Sequence, residues 1–210
     1  MREGVLFLDE MAEFSRYTLE VLRQPMEDGQ ITIARNHGTY VYPADFMLVG
    51  AMNPCPCGAY PNLAKCTCTE AMRRRYIGKL SKPLLDRMDI CVDVEKLDFK
   101  TMMSNKESES SAVVRNRVLD AWHIQNRRYK NLATRFNSQM SAEDIEHYCK
   151  LDVNINEWFM SALESLDISV RSYHKILRVA RTIADLDKSE QIDKRHLSEA
   201  IALNSSFSMK

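Results

Sequence analysis

The stretch Val5-Leu6-Phe7-Leu8-Asp9-Glu10 decides the fold, because four apolar residues run directly into two acidic residues. A short, continuous apolar run is typical of a strand that is buried on both faces, as in a parallel sheet. The two acids then follow the carboxyl end of the strand, the edge of an open α/β sheet where ligands bind. One acid at that edge can hold Mg²⁺ through water, and a second can polarise an attacking water molecule. The alternative is a buried strand that ends in a solvated Asp-Glu pair.

The composition is that of an ordinary globular protein and narrows the classes of function. The chain has 210 residues, of which 45% are hydrophobic and 28% are charged. Lys plus Arg and Asp plus Glu number 29 each, so net charge gives no support to nucleic-acid binding, although a local basic patch stays open. No apolar run approaches the roughly 20 residues of a membrane span, and no N-terminal signal is visible. These features predict a cytoplasmic protein without a membrane partner.

The residue pattern predicts an α/β region followed by an all-α region. The first region is predicted to contain a helix over 16–26 capped by Ser15, a β-hairpin over 30–42, a second buried strand over 46–52 that ends at Asn53, a helix opened by 73–76, a short helix over 83–89 and a third strand over 90–94. A polar segment over 104–111 is typical of a loop, and no strand is indicated beyond residue 99. Helices are predicted over 113–129, from 141, and over 155–166, 169–186 and 193–205, with Asp193 as a cap of the last.

Four of the six cysteines form two Cys-x-Cys pairs in a Pro-, Cys- and Gly-rich insertion over residues 54–70. The pairs are Cys55 with Cys57 and Cys66 with Cys68, eight residues apart. Four thiolates can complete a tetrahedral Zn²⁺ site, whose role here would be structural. Free thiols or two disulfides are the alternatives. The remaining two, Cys91 and Cys149, lie apart and are expected to be core residues.

The order of these features resembles the AAA+ ATPases, and within them the magnesium-chelatase-like branch of the YifB and ComM proteins. The stretches that carry the resemblance are 4–10, 22–35, 50–58 with its Asn-Pro-Cys-Pro-Cys-Gly segment, 79–90 and 169–186. The resemblance implies a partial AAA+ P-loop core with a hairpin insertion, and then a helical lid. It divides the chain into residues 1–98 of the ATPase core, a linking helix over 99–136 and a lid over 137–210.

The resemblance also assigns roles to individual residues. Asp9 and Glu10 would be the metal-binding acid and the catalytic base of a Walker B motif. Asn53 would be the sensor that orients the attacking water. Arg87, in Leu-Leu-Asp-Arg, would be the finger that reaches ATP on a neighbouring subunit, which implies a ring, expected to be a hexamer. Arg171 would be the lid arginine that contacts the γ-phosphate.

Each assignment has a plainer alternative. Asn53 precedes a proline, as turn asparagines commonly do. Arg87 could be a surface arginine paired with Asp86 or Asp89. Arg178 shares a helix face with Arg171 and is its main rival, and a solvated basic face is the alternative for Arg171, Arg178 and Arg181 together.

The chain departs from the family at one point, because it contains no Gly-x-x-x-x-Gly-Lys-[Ser/Thr] phosphate loop. We therefore expect it to be the C-terminal part of a longer protein, unable to bind ATP and Mg²⁺ normally by itself and prone to self-association through an incomplete sheet. The resemblance implies a DNA-remodelling motor, with Arg35 and His37 near the hairpin tip facing DNA; a purely structural hairpin is the alternative. Arg73–Arg75 could likewise contact phosphates or could face a neighbouring subunit. A chelatase motor subunit and a non-catalytic oligomerisation or regulatory module are the alternatives.

Overall fold

The structure is a computed structural model, and it describes residues 4–94, 103, 108–130, 132, 134–166 and 168–205, with only the backbone of residues 170, 171 and 205. The chain divides into two compact units, Met1–Met88 and Asp89–Lys210. The first unit combines strands and helices, and the described part of the second contains helices alone. The predicted order, α/β and then all-α, is confirmed.

The first unit is organised around a parallel pair of strands. Its elements in chain order are β1 (Gly4–Leu8), a 3₁₀ turn (Met11–Glu13), α1 (Arg16–Val21), α2 (Arg23–Asp28), β2 (Gln30–Arg35), β3 (Gly38–Pro43), β4 (Phe46–Gly50), α3 (Glu70–Ile77) and α4 (Lys82–Leu85). Strands β1 and β4 pair in parallel, with Leu8 opposite Gly50. Strands β2 and β3 form the predicted antiparallel hairpin as a separate ribbon.

The prediction that β1 is buried on both faces is wrong for the structure described. Val5 is 65% exposed and Phe7 is 57% exposed, and on β4 Met47 is 48% exposed. The sheet has only two strands among the described residues, so neither β1 nor β4 is flanked by strands on both sides. Leu8, at the carboxyl end of β1, is buried. The predicted exposure of apolar side chains on the sheet is confirmed by Val5, Phe7 and Met47.

The predicted helix over 16–26 is present but divided. The Ser15 side chain caps α1 by accepting a hydrogen bond from the Thr18 backbone N–H at 3.1 Å, as predicted. The chain breaks at Leu22, and α2 then continues to Gly29, whose φ of 64° ends it in the left-handed conformation that glycine adopts without strain. Helices α3 and α4 occupy the positions predicted for the basic segment and the Leu-Leu-Asp-Arg segment, capped by Thr69 and Ser81.

The predicted strand over residues 90–94 is not formed. This segment has no strand partner among the described residues, and its Cys91 N–H instead donates to the Leu203 carbonyl at 2.8 Å. Ile90, Val92 and Val94 are exposed, and Cys91 is half-buried. An apolar run without a neighbouring strand cannot form ladder hydrogen bonds, so its β-propensity has no effect here.

The second unit is a helical bundle with its own core. Its elements are α5 (Ser111–Arg128), a 3₁₀ turn (Asn137–Gln139), α6 (Ala142–Tyr148), α7 (Val153–Ser165), α8 (Val170–Leu186) and α9 (Lys194–Ser205). The predicted helices are therefore confirmed to within a few residues, and Asp193 caps α9 as expected. Cys149 lies in the core beside fully buried side chains such as Phe159, Ile176 and Leu197, which confirms the expectation for this cysteine.

Residues 104–107 of the predicted loop over 104–111 lie outside the described residues, whereas 108–110 form neither helix nor strand and α5 begins at Ser111. The predicted domain boundaries, 1–98, 99–136 and 137–210, remain predictions. The structure separates its two compact units between Met88 and Asp89. No helix in the described part of the chain combines the length and apolarity that a membrane span requires.

Candidate functional site

The acidic pair lies in a sharp turn at the carboxyl end of β1. Asp9 and Glu10 are both exposed, and the Glu10 N–H donates to Asp9 Oδ1 at 3.0 Å. Glu10 has φ 50° and ψ 45°, a left-handed backbone conformation that is uncommon for residues other than glycine and asparagine. Such strain is concentrated at functional sites, where the surrounding structure holds it in place.

The turn is held against β4 by the residue that follows it. The Met11 N–H donates to the Ala51 carbonyl at 2.8 Å, and the Ala51 N–H donates to the Leu8 carbonyl at 2.9 Å. Met11 is buried, and a Cβ added to Gly50 would lie 2.6 Å from its sulfur. Gly50 therefore allows Met11 to pack against the strand, which fixes the direction in which the chain leaves the acidic pair.

Asn53 lies at the same edge of the sheet, but it does not directly follow strand β4 as predicted. Strand β4 ends at Gly50, three residues earlier than the residue expected to terminate it. Since β1 and β4 are parallel and Leu8 is opposite Gly50, Asp9, Glu10 and the segment 51–53 all follow the carboxyl ends of their strands. Asn53 is exposed, and its side-chain amide faces Gly58 in the next loop.

Arg87 is held inside its own unit by an acidic residue that the sequence did not indicate. One guanidinium nitrogen forms an ion pair with the Glu27 carboxylate, and another donates to the Pro83 carbonyl at 2.6 Å. The Arg87 side chain is 13% exposed and the Glu27 side chain 53%. Sixty positions separate the two residues, so no local spacing rule could have found the pair.

The arginines of α8 differ in how far the structure describes them. The side chain of Arg171 is outside the described residues, and its role stays a prediction. Arg178 donates to the Met140 carbonyl at 2.7 Å. Arg181 is buried and donates to Asp185 at 3.1 Å, and its burial lowers the pKa of the guanidinium. A solvated basic face is therefore wrong for Arg178 and Arg181, both of which have partners within the bundle.

The four clustered cysteines converge on one point. The Sγ atom of Cys55 lies 3.5 Å from that of Cys57 and 3.8 Å from that of Cys66, and the Cys57 and Cys66 sulfurs are 3.7 Å apart. All four sulfurs, including that of Cys68, lie within 4.8 Å of one another. A disulfide needs a sulfur–sulfur distance of about 2.05 Å, and all six cysteines of the chain are free. The disulfide alternative is therefore excluded for this structure.

The thiols of the cluster differ in acidity. A hydrogen bond from the Ala59 backbone lowers the pKa of Cys57 to about 5, with further help from Cys68 and the Thr67 backbone. Burial raises the pKa of Cys68 to about 11. One thiolate is therefore already favoured at neutral pH, and thiolates are the form in which cysteine binds metals.

Tyr76 on α3 is a buried residue of this region that sequence reasoning missed. Burial raises the pKa of its hydroxyl, and the charges of Glu13, Glu10 and Cys55 raise it further. Tyr76 is thus close enough to the acidic turn and to the cysteine cluster for charges in both to raise the pKa of its hydroxyl. An isolated tyrosine in a basic helix carries no sequence signal for such a position.

The hairpin is exposed along its whole length. Every residue from Gln30 to Pro43 is exposed. Ile33 is opposite Tyr40 and Ile31 is opposite Tyr42, so these four side chains share one face of the ribbon. Ile33, Arg35, Tyr40 and Tyr42 line a shallow groove of about 230 Å³ on that face.

Comparisons with known proteins agree with this arrangement. The sequence model of the family described as "Magnesium chelatase, subunit ChlI" matches residues 1–102, and that of "Magnesium chelatase, subunit ChlI C-terminal" matches residues 108–204. The chain is 41% identical over 202 residues to the uncharacterized protein YifB of Salmonella typhimurium, 42% identical over 199 residues to the competence protein ComM of Haemophilus influenzae, and 41% identical over 204 residues to the uncharacterized protein YifB of Escherichia coli. These matches include 94–95% of this chain but only 38% of the length of each relative.

A parallel strand pair with acids at its carboxyl edge, joined to a separate helical unit, is consistent with the AAA+ fold class. The two family matches together account for nearly the whole chain. The chain belongs to the magnesium-chelatase-like AAA+ family, in its YifB and ComM branch.

Proposed function

We propose that this chain is the part of a cytoplasmic AAA+ ATPase that follows the phosphate loop, and that the parent protein couples ATP hydrolysis to DNA remodelling. The observation that supports the ATPase most directly is the register of β1 and β4. It brings Asp9, Glu10 and the Asn53 segment to the carboxyl edge of one parallel pair, where nucleotides bind in such sheets. The chain alone lacks the phosphate loop, so we expect it to be inactive by itself.

The residues at this edge fit Mg²⁺ and ATP as cofactors. Asp9 presents an exposed carboxylate, the ligand type that Mg²⁺ prefers, and the ion would neutralise phosphate charge. Glu10 would accept a proton from the attacking water, and Asn53 would orient that water through its amide. Arg171 would respond to the γ-phosphate from the lid. Zn²⁺ at the four cysteines belongs to the same proposal, as a structural ion.

Arg87 requires a neighbouring subunit in this proposal, and a homo-oligomeric ring, expected to be a hexamer, would supply it. An arginine stabilises the charge that develops on the transferred phosphoryl group better than a lysine does. Here Arg87 is paired with Glu27, so binding to the neighbour's ATP would exchange one anionic partner for another.

The DNA part of the proposal is supported by family membership and by the exposed hairpin, and not by net charge. The relative from Haemophilus influenzae is named a competence protein. The hairpin presents Arg35 and two tyrosines on one exposed face, and aromatic and arginine side chains bind unpaired bases by stacking.

The test uses the parent reading frame, extended upstream to a phosphate loop. Glu10→Gln should retain ATP binding and abolish turnover, whereas Glu13→Gln, which changes an exposed acid in the next turn, should leave turnover unchanged. ATP turnover by the wild type should rise with single-stranded or forked DNA. Arg87→Ala should abolish this DNA-stimulated turnover. Unchanged hydrolysis in Glu10→Gln would contradict the assignment of the base.

A chelatase motor subunit is the second candidate, because the matching family models carry that description. ATP turnover that is indifferent to every DNA tested would favour it over a DNA motor. An extended protein that binds no ATP and has no turnover would instead indicate a non-catalytic oligomerisation or regulatory module.

A further inference from the structure

The loop between β4 and α3 has almost nothing apolar to hold it in place. Residues 54–69 form no helix and no strand, and only Cys55 and Cys68 among them are buried. The loop contains a few turn hydrogen bonds, such as Gly58 N–H to the Cys55 carbonyl at 3.0 Å and Cys66 N–H to the Asn62 carbonyl at 2.9 Å. Ordering a segment of this length requires a compensating interaction, which a small hydrophobic core would normally supply. Here the centre of the loop is occupied by sulfur atoms.

The spacing of those sulfur atoms fits a metal ion of defined size. Four sulfurs bound tetrahedrally to Zn²⁺ at about 2.3 Å are separated from one another by about 3.8 Å. The distances between the Sγ atoms of Cys55, Cys57 and Cys66 are 3.5, 3.7 and 3.8 Å. Cys68 completes the set within 4.8 Å of the other three. A complete set of four cysteine ligands without an open position is typical of a structural site and not of a catalytic one.

The loop contacts the proposed nucleotide site on its first side. Asn53 is two residues before Cys55, and a Cβ added to Gly58 would lie 3.7 Å from the amide carbon and oxygen of Asn53. Gly58 has a φ of 72°, in the region that glycine adopts readily. The backbone turn that carries Cys55 and Cys57 therefore packs directly against the Asn53 amide.

On its second side the loop holds helix α3. Arg73 donates from its guanidinium to the Cys68 carbonyl at 3.1 Å, and the same guanidinium lies over the Tyr60 ring, 4.8 Å from its centroid. Thr69, next to Cys68, caps the helix by accepting from the Met72 N–H at 3.3 Å. The four cysteines thus join the segment after β4 to the start of α3.

We propose that Cys55, Cys57, Cys66 and Cys68 bind one Zn²⁺ ion that orders the loop over 54–69 and thereby sets the position of Asn53. The metal site itself follows from the sulfur geometry. The effect on Asn53 rests on the ATPase proposed above, so the two parts need separate readouts.

The metal site is tested on the 210-residue chain, purified without oxygen. We expect one zinc per chain by elemental analysis. Replacement of zinc by Co²⁺ should give the intense thiolate charge-transfer and visible bands of tetrahedral CoS₄. Trypsin cleavage after the exposed Lys65 should accelerate at least tenfold when a strong chelator removes the metal. These measurements use the unmodified chain, so they do not depend on the folding of any variant.

Two variants localise the metal. Cys57→Ser should lower the zinc content at least fivefold and make cleavage after Lys65 fast without chelator. Cys91→Ser, which changes a half-buried cysteine in the other unit, is the matched control and should retain zinc and protection. Far-UV circular dichroism, dominated by the helical unit, should stay unchanged in both.

The outcomes separate the two parts of the proposal. Absence of zinc, iron in its place, or full zinc content in Cys57→Ser would overturn the metal site. If zinc and protection behave as expected, Cys57→Ser in the extended ATPase should lower kcat at least tenfold with ATP binding retained. An unchanged kcat would overturn the effect on Asn53 while the zinc site stands, and a wild type without turnover would instead count against the ATPase.

Discussion

Asp185 is the residue whose replacement should most strongly destabilise the helical unit. Its side chain is fully buried and accepts hydrogen bonds from Arg128 at 2.8 Å, from Asn137 at 2.9 Å and from Arg181 at 3.1 Å. Among the described contacts, Arg128 and Arg181 both donate hydrogen bonds to the Asp185 carboxylate. Removing its charge leaves the arginines facing each other in the interior of the bundle.

The expected size follows from that geometry. Breaking a buried ion pair by removing one partner typically costs about 3–5 kcal/mol, because the remaining charge is left desolvated and uncompensated. Asp185→Asn retains the shape and some hydrogen bonds but not the charge, so we expect the lower part of that range. The measurement is urea unfolding followed by far-UV circular dichroism at 25 °C.

The control is Asp120→Asn, which removes an exposed carboxylate that pairs with Lys188 at 2.8 Å on the surface of the same unit. Exposed pairs contribute little, so its unfolding midpoint should stay close to that of the wild type. A free energy of unfolding for Asp185→Asn within about 1 kcal/mol of the wild-type value would refute the reasoning, because it would mean that the arginines find other compensation.

Three further predictions concern other parts of the chain. Glu27→Gln should free the Arg87 guanidinium from its ion pair, so the reactivity of Arg87 towards phenylglyoxal should rise severalfold; an unchanged rate would show that the Pro83 carbonyl alone holds it. Ser141→Ala should destabilise the helical unit by about 1 kcal/mol in urea unfolding, because Ser141 forms a capping box with Asp144. Hydrogen bonding by the Ser141 backbone lowers the pKa of Asp144, so the contribution of this carboxylate is present above the ordinary carboxyl pKa and is lost as pH falls through the lowered value; a difference in the free energy of unfolding between the wild type and Asp144→Asn that stays constant from pH 7 to pH 2 would contradict this. Phe7→Ser should reduce self-association in sedimentation velocity, since this apolar side chain is 57% exposed on the sheet; equal association would place the contact elsewhere.

The sequence predicted those elements whose signals are local. Ser15 and Asp193 were recognisable as helix caps and Ser141 as a helix start, because these signals depend on residues within one turn. The hairpin followed from two alternating segments about a short turn. The convergence of the four cysteines could also be expected, since two Cys-x-Cys pairs in a loop without apolar content have few other ways to be satisfied.

The errors arose where an outcome depends on distant partners. The run over residues 90–94 has strand propensity, but a strand forms only beside another strand, and the segment lies near Leu203 instead. The exposure of Val5 could not be seen in its own segment, because burial depends on what covers the sheet. The ion pair of Arg87 with Glu27 joins two segments that share no periodicity, and the buried Tyr76 is affected by the charges of Glu13, Glu10 and Cys55, which are distant from it in sequence.

The left-handed backbone of Glu10 has an evolutionary consequence. A side chain in that conformation costs about 1 kcal/mol or more relative to glycine, and asparagine tolerates it better than glutamate. Drift under selection for stability alone would therefore replace Glu10 by glycine or asparagine. A lineage that keeps glutamate at this position maintains it against its own folding preference. If Glu10 is the base of the proposed ATPase, the residue at this position in each relative would indicate whether hydrolysis is still under selection.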